Sequence, residues 1–295
     1  MSSIKKPERS MEREKNRIEP GHLYLVATPI GNLADLSERA VKALSEVDFI
    51  AAEDTRNTAH LLAYLGVKKP MVSYFEHNKR ERGELICDRI EAGESCALVT
   101  DAGTPAISDP GEDIVKLCAE RKIPVTGVPG PCAAVSALIL SGLTAGRFVF
   151  EGFLPVGKSE RRARFDEVRS EKRTLIFYEA PHKLKGTLDD MAKQFGGERR
   201  VSLCRELTKL NEEVMRTTFA EAIEYYKSND PRGEYVLIVE GASEQKNPLS
   251  ELDISEHVAY YESTGMTHME ALKAAARDRG VSKSEVYSEL LKRGK

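Results

Sequence analysis

The residues best suited to chemistry fall in short runs where an apolar stretch gives way to small, polar or acidic side chains. The longest is Thr100-Asp101-Ala102-Gly103-Thr104-Pro105-Ala106-Ile107-Ser108-Asp109-Pro110-Gly111, which follows the apolar Cys96-Ala97-Leu98-Val99. Its glycines allow close backbone approach, its prolines fix φ and remove donors, and Thr100, Thr104 and Ser108 add small hydroxyls. Similar runs are Ala27-Thr28-Pro29-Ile30-Gly31-Asn32, Ala52-Glu53-Asp54-Thr55-Arg56 and Pro129-Gly130-Pro131-Cys132-Ala133. Ligands of open α/β sheets collect beyond the carboxyl ends of the strands, so these runs point to one ligand site. Adjacent acids such as Glu53 and Asp54 are costly at a strand end unless they are used or paired with Arg56. A carboxylate there suits proton acceptance in a transition state; the alternative is a structural ion-pair cluster. His77 and His182 lie in polar runs and read as surface residues or helix caps.

Absent motifs narrow the chemistry. The chain has no GxGxxG, HExxH or GxSxG. Phosphate cradling and metal hydrolysis therefore lose support. A ligand held by backbone groups, small side chains and one or two carboxylates gains it.

The elements that must position these runs follow an α/β pattern. Leu23-Tyr24-Leu25-Val26, Phe49-Ile50-Ala51-Ala52, Pro70 to Tyr74, Cys96 to Val99 and Val125 to Val128 read as strands alternating with helical patterns. Asp35 with Glu38 is the expected capping box of the first helix. A shift near Ser141 to Gly146 separates an N-terminal, mostly parallel α/β domain over 21–145 from a mixed α+β domain over 146–243. The latter carries the basic helical stretch Lys158 to Arg173 and a capping box at Thr218 and Glu221. A polar linker leads to a helical, helix-turn-helix-like tail over 250–295, where Thr267 with Glu270 and Ser282 with Glu285 bracket Gly280. The polar, charge-rich residues 1–20 are expected to be a disordered arm.

Composition sets the outer bounds. A chain of 295 residues, 41% hydrophobic and 31% charged, has room for about two domains and a real core. No apolar run approaches the ~18 residues of a membrane span, and no secretory signal is visible. Five scattered cysteines without a CxxC pair suit a reducing cytoplasm better than a metal site. With a net charge of −3, contact with nucleic acid must come from local basic patches.

These motifs together carry a resemblance. Val26 to Leu33, Ala52 to Arg56, Asp101 to Gly111 and Pro129-Gly130-Pro131 resemble the rRNA small-subunit methyltransferase I family. That family is a branch of the tetrapyrrole-methylase-like, class III S-adenosylmethionine methyltransferases. In the second half Phe177 to His182, Arg205 to Lys209 and Arg232-Gly233-Glu234 match its motifs in order.

The resemblance implies a two-domain tetrapyrrole-methylase-like fold with S-adenosyl-L-methionine in the cleft between the domains. Thr28, Pro29, Ile30 and Gly31 should border it, with Asp101, Gly103, Thr104, Pro105 and Ile107 near the methionine part. Cys132, Ala133, Tyr178 and Glu179 should close the other side. The implied reaction is 2′-O-methylation of a cytidine in the decoding region of small-subunit (16S) rRNA. A homodimer in the cytoplasm is expected, with no metal and no membrane association. Candidates for the acceptor side are Glu53, Asp54, Arg56 and Glu206, with Arg56, Arg205 and Lys209 as phosphate contacts. Two other readings stay open: a tetrapyrrole C-methyltransferase, and a non-catalytic RNA-binding or assembly module on the same fold. The basic stretches argue against the first and the intact strand-end loops against the second.

Overall fold

The computed structural model describes residues 17–243, 249, 252–279 and 281–293. These form two compact units, one ending at Gly241 and one starting at Ala242. In the first, β1 (Leu23–Val26), β2 (Phe49–Ala52), β3 (Met71–Ser73), β4 (Cys96–Val99) and β5 (Val125–Val128) make a parallel sheet. Its order is β3-β2-β4-β1-β5. Crossover helices α1 (Glu38–Glu46), α2 (Thr55–Tyr64), α3 (Lys79–Glu91) and α4 (Glu112–Glu120) cover both faces. Alternation along the strands divides the core in two. Phe49, Ala51, Cys96 and Leu98 pack with Ile86 and Ile114, while Ile50, Ala52, Ala97 and Val99 pack with Ala40, Leu44 and Leu62. Burial on both faces explains why these strands read as unbroken apolar runs.

The start of α1 corrects an expectation. Its cap is Ser37, whose Oγ accepts from the Ala40 N–H at 3.1 Å. Asp35 ends a short 3-10 turn, Leu33–Asp35, because Leu36 is extended (φ −72°, ψ 120°) and separates the turn from the helix.

The second sheet is mixed, as expected. It contains β6 (Phe148–Phe153), β7 (Thr174–Glu179), β8 (Arg200–Arg205), β9 (Glu213–Thr218) and β10 (Tyr235–Val239), in the order β6-β7-β10-β8-β9. Only β6 and β7 pair in parallel. On one face Leu175, Phe177, Leu203 and Leu237 pack with α6 (Lys158–Val168), α7 (Pro181–Phe195) and α8 (Phe219–Ser228). Thr218 and Glu221 form the expected capping box of α8. The other face receives α5 (Ala133–Leu140), which follows β5 of the first sheet. Its Ala134, Ala137 and Leu138 pack on Ile176, Cys204, Val236 and Ile238.

The second unit holds α9 (Ile254–Ser263), α10 (His268–Arg279) and α11 (Lys283–Arg293) around Val258, Leu272, Ala275 and Val286. Ser282 and Glu285 exchange hydrogen bonds at the start of α11, while the Glu270 carboxylate accepts from the N–H and hydroxyl of Thr267. The turn expected at Gly280 and the arm expected over 1–20, up to residue 16, lie outside the described residues. Among the described residues no helix is long and apolar enough to cross a membrane.

Phe177 sits fully buried on β7, paired between β6 and β10. Its replacement by Ala is expected to cost about 3–5 kcal/mol. Chemical denaturation should show this as a lowered midpoint at unchanged slope.

Candidate functional site

The strand-end runs converge because backbone hydrogen bonds tie them together. Thr28 donates its N–H to the Gly103 carbonyl at 2.8 Å, and Gly103 returns one to Thr28 at 3.1 Å. The Thr28 hydroxyl donates to the Thr100 carbonyl at 3.2 Å, and that of Thr104 to the Pro131 carbonyl at 2.9 Å. The loops after β1, β4 and β5 are thus one assembly. Gly103 has φ +89°, and a Cβ there would meet Ile30 Cγ2 at 3.4 Å. The rest of the loop turns on itself through Ala106 (φ 70°) and Ser108 (φ 62°), both in the left-handed region that L residues avoid.

The opposite wall comes from the second sheet. The Tyr178 hydroxyl accepts from the Ala134 N–H at 3.1 Å, at the otherwise uncapped start of α5. Burial pushes the Tyr178 phenol up to about 12. Glu179 is 4% exposed and accepts from the Thr187 hydroxyl and, at 2.9 Å, from the Ala180 N–H. After β8 the chain turns through Glu206 (φ 51°) and Thr208 (φ 66°). The Glu206 carboxylate accepts from Lys209 Nζ at 2.9 Å and the Glu234 N–H at 3.1 Å, and Lys209 also reaches Glu234 at 2.8 Å. The Lys209 hydrogen bond holds the Glu206 carboxyl below its ordinary range. Gly233 (φ +76°) passes so close that a Cβ would lie 2.4 Å from Glu206 Cγ.

Between these walls lies a cleft of about 450 Å³. Of the residues expected at a cofactor, Ile30, Asp101, Gly103, Thr104, Ile107, Cys132, Ala133, Tyr178 and Glu179 line it. Thr28, Pro29, Gly31 and Pro105 do not line it. Thr28 and Pro105 are buried, and exposed Gly31 lies under Lys209, whose Cγ a Cβ would approach to 2.4 Å.

The four acceptor-side candidates separate. Glu53 and Glu206 line the cleft; Asp54 and Arg56 do not. Asp54 is the N-cap of α2, accepting from the Arg56 N–H at 2.8 Å, and it grips the Arg56 guanidinium at 2.6 Å. Those hydrogen bonds bring its carboxyl down to about 2. Glu53 instead accepts the Asp101 N–H at 3.3 Å, and burial pushes its carboxyl up. His77 and His182 are exposed and outside the lining.

Sequence reasoning left out Asp109, Phe153, Leu207, Lys209 and Val236 as cleft residues. Asp109 belongs to the run Asp101 to Gly111, and Lys209 to the run Arg205 to Lys209. Phe153 and Val236 are strand residues, and only the assembled sheet turns them inward. Asp109 is the most perturbed acid of the cleft. Burial first, then the charges of Glu53 and Asp101, push its carboxyl up to about 7. Among the described residues no group of three His, Cys, Asp or Glu is arranged to hold a metal.

The tetrapyrrole (corrin/porphyrin) methylase family model matches residues 22–223. The ribosomal RNA small subunit methyltransferase I of Halalkalibacterium halodurans is 46% identical over 284 residues, covering 95% of this chain and 98% of its own length. That of Synechocystis sp. is 43% identical over 268 residues, covering 90% and 96%. Among solved structures, uroporphyrin-III C-methyltransferase from Thermus thermophilus superposes with a TM-score of 0.53 at 19% identity, covering 75% of this chain and 95% of its own. Diphthine synthase does so with a TM-score of 0.57 at 16% identity, covering 75% and 90%. The last two likenesses concern the fold. The family match over residues 22–223 and the identity and extent of these relatives agree: the chain belongs to the tetrapyrrole methylase family, among the ribosomal RNA small subunit methyltransferases I.

Proposed function

We propose that this chain transfers a methyl group to the 2′-hydroxyl of a cytidine in the decoding region of small-subunit (16S) rRNA. Family membership makes it a methyltransferase with S-adenosyl-L-methionine as donor. One observation carries the fit of donor and acceptor to the cleft. Glu53, Asp101 and Asp109 face it together, while its lysine, Lys209, is already engaged by Glu206 and Glu234. Such a site welcomes a cation and a neutral hydroxyl and repels an acidic macrocycle.

The residues present suit the donor. A cleft of about 450 Å³ falls within the usual range for a small-molecule site. Ile30, Ile107, Leu207 and Val236 offer apolar walls to the adenine, and Gly103 leaves room for close backbone approach. Asp101 and Glu179 offer carboxylates to the ammonium and hydroxyl groups. When bound, the donor supplies a methyl on a sulfonium that is already a good leaving group. The chain's work is then mainly to align the acceptor oxygen and exclude water.

The polyanionic acceptor is met outside the cleft. Arg56 is 86% exposed at the strand end that carries Glu53, and Lys158 and Arg162 are exposed on α6. These cations position phosphates without reading sequence. The proposal places the enzyme in the cytoplasm as a homodimer that needs no metal.

Incubation with methyl-labelled donor and small ribosomal subunits is expected to label one cytidine ribose of the RNA, as mapped by nuclease digestion and mass spectrometry. Label on a base carbon would overturn the mechanism; unlabelled RNA would overturn the acceptor. A Gly103→Val change strains the backbone by about 1–3 kcal/mol and crowds Ile30, so donor affinity should fall roughly 10–100-fold by calorimetry.

A further inference from the structure

The carboxylates around the cleft differ in what already binds them. Glu53 accepts the Asp101 N–H at 3.3 Å, and Asp101 accepts Asn57 Nδ2 at 3.0 Å. Glu179 is held by Thr187 and the Ala180 N–H, and Glu206 and Glu234 share Lys209. Asp109 lines the same space, yet among the described residues no hydrogen bond reaches its carboxylate and no cation pairs with it. Its loop spends two left-handed residues, Ala106 and Ser108, in holding this arrangement. A Cβ on Gly152 of β6 would lie 2.7 Å from Ser108 Oγ, so β6 packs tightly against the turn just before Asp109. Strain of this kind persists where surrounding structure over-determines it, and it concentrates at functional sites.

We propose that Asp109 is the proton acceptor of the methyl transfer. The acceptor oxygen bonds the methyl carbon as the carbon–sulfur bond breaks, and that bond's electron pair stays on sulfur, leaving a neutral thioether. Asp109 takes the hydroxyl proton in the same step and later loses it to solvent through the mouth of the cleft. The inference rests on the reading of the cleft as a site of methyl transfer to a hydroxyl.

The charge environment suits the role. Asp109 is faced by Glu53 from the end of β2, Asp101 from beyond β4 and Tyr178 from β7, with Cys132 near the start of α5. Burial and the two acids bring it to about 7, where a general base works best near neutral pH. A cation entering the cleft favours its ionised form. The profile of kcat/KM should therefore rise through pH about 7 and level off above, with the limb of kcat displaced to lower pH.

The test is Asp109→Asn in the full chain. Its kcat is expected to fall about 10²–10⁴-fold, and the rising limb of kcat/KM should vanish. Calorimetric affinity for S-adenosylhomocysteine should stay within about threefold of wild type, since this product is a neutral thioether without the sulfonium charge that the acids favour. A readout without turnover is the melting temperature against pH. The folded carboxyl binds its proton up to about 7, whereas the unfolded one releases it near its ordinary 3.8. Folded wild type therefore loses stability relative to the variant as pH rises between these values, and the difference is constant outside them. A variant that keeps its rate and its pH limb on labelled RNA overturns the assignment of Asp109 alone. So does a melting difference that stays constant from about pH 4 to about pH 8. Wild-type protein that leaves the RNA unlabelled overturns the acceptor reading and this inference with it.

Discussion

The cleft depends on one short helix docking across a boundary. α5 begins at the end of β5 in the first sheet and buries Ala134, Ala137 and Leu138 on the second. A helix of eight residues is marginal in water, so its order comes from that burial. Both ends of the connection are also pinned. Pro131 accepts from Thr104, a Cβ on Gly130 would lie only 3.0 Å from Ala27 Cβ, and Tyr178 accepts the Ala134 N–H. Moving α5 would therefore disturb three strand-end loops and β7 together. The spacing of the two walls is a property of core packing, which resists small displacements.

On that fixed frame the loops carry strain and charge. Among the described residues, four of the five non-glycine residues with positive φ are Ala106, Ser108, Glu206 and Thr208, two on each wall of the cleft. Each costs about 1–3 kcal/mol and survives because its surroundings over-determine it. On one wall that support is the Thr28–Gly103 bridge and the close packing of Gly152 against Ser108. On the other it is the pairing of Glu206 with Lys209, the Glu234 N–H and the tight passage of Gly233. The two walls handle acidity differently. Glu206 is neutralised by an ion pair, whereas among the described residues Glu53, Asp101 and Asp109 form none.

Much of this was legible in the chain. The parallel sheet announced itself because strands buried on both faces must be apolar throughout, and the capping box at Thr218 and Glu221 is a local pattern that local structure honours. Asp35 shows where local pattern fails. An acid three residues before a glutamate is a plausible cap, but one extended residue, Leu36, hands the role to Ser37. Glu53 and Asp54 show a subtler limit. As neighbours they look interchangeable, yet the chain turns from strand to helix between them, so one faces the cleft and the other caps α2. The engagement of Lys209 by Glu206 and Glu234 joins positions 25 apart in sequence at its longer contact, which only the assembled second sheet brings together.

An enzyme for a polyanion that lines its cleft with acids looks contradictory until distance is considered. Exposed charges are screened over about 8 Å at physiological salt, while half-buried ones act on each other far less attenuated. Cations at the surface, such as Arg56, can then meet phosphates while the interior acids act only on what enters the cleft. Three neighbouring carboxylates with no ion-paired cation among the described residues also cannot all ionise at equal ease, so one must hold its proton more tightly. Burial selects Asp109 for that part. A positive ligand in the same space reverses the balance, since it stabilises the ionised form of all three. The acids are thus costly in the empty protein and relieved in the loaded one, which turns electrostatic discomfort into affinity for a cation.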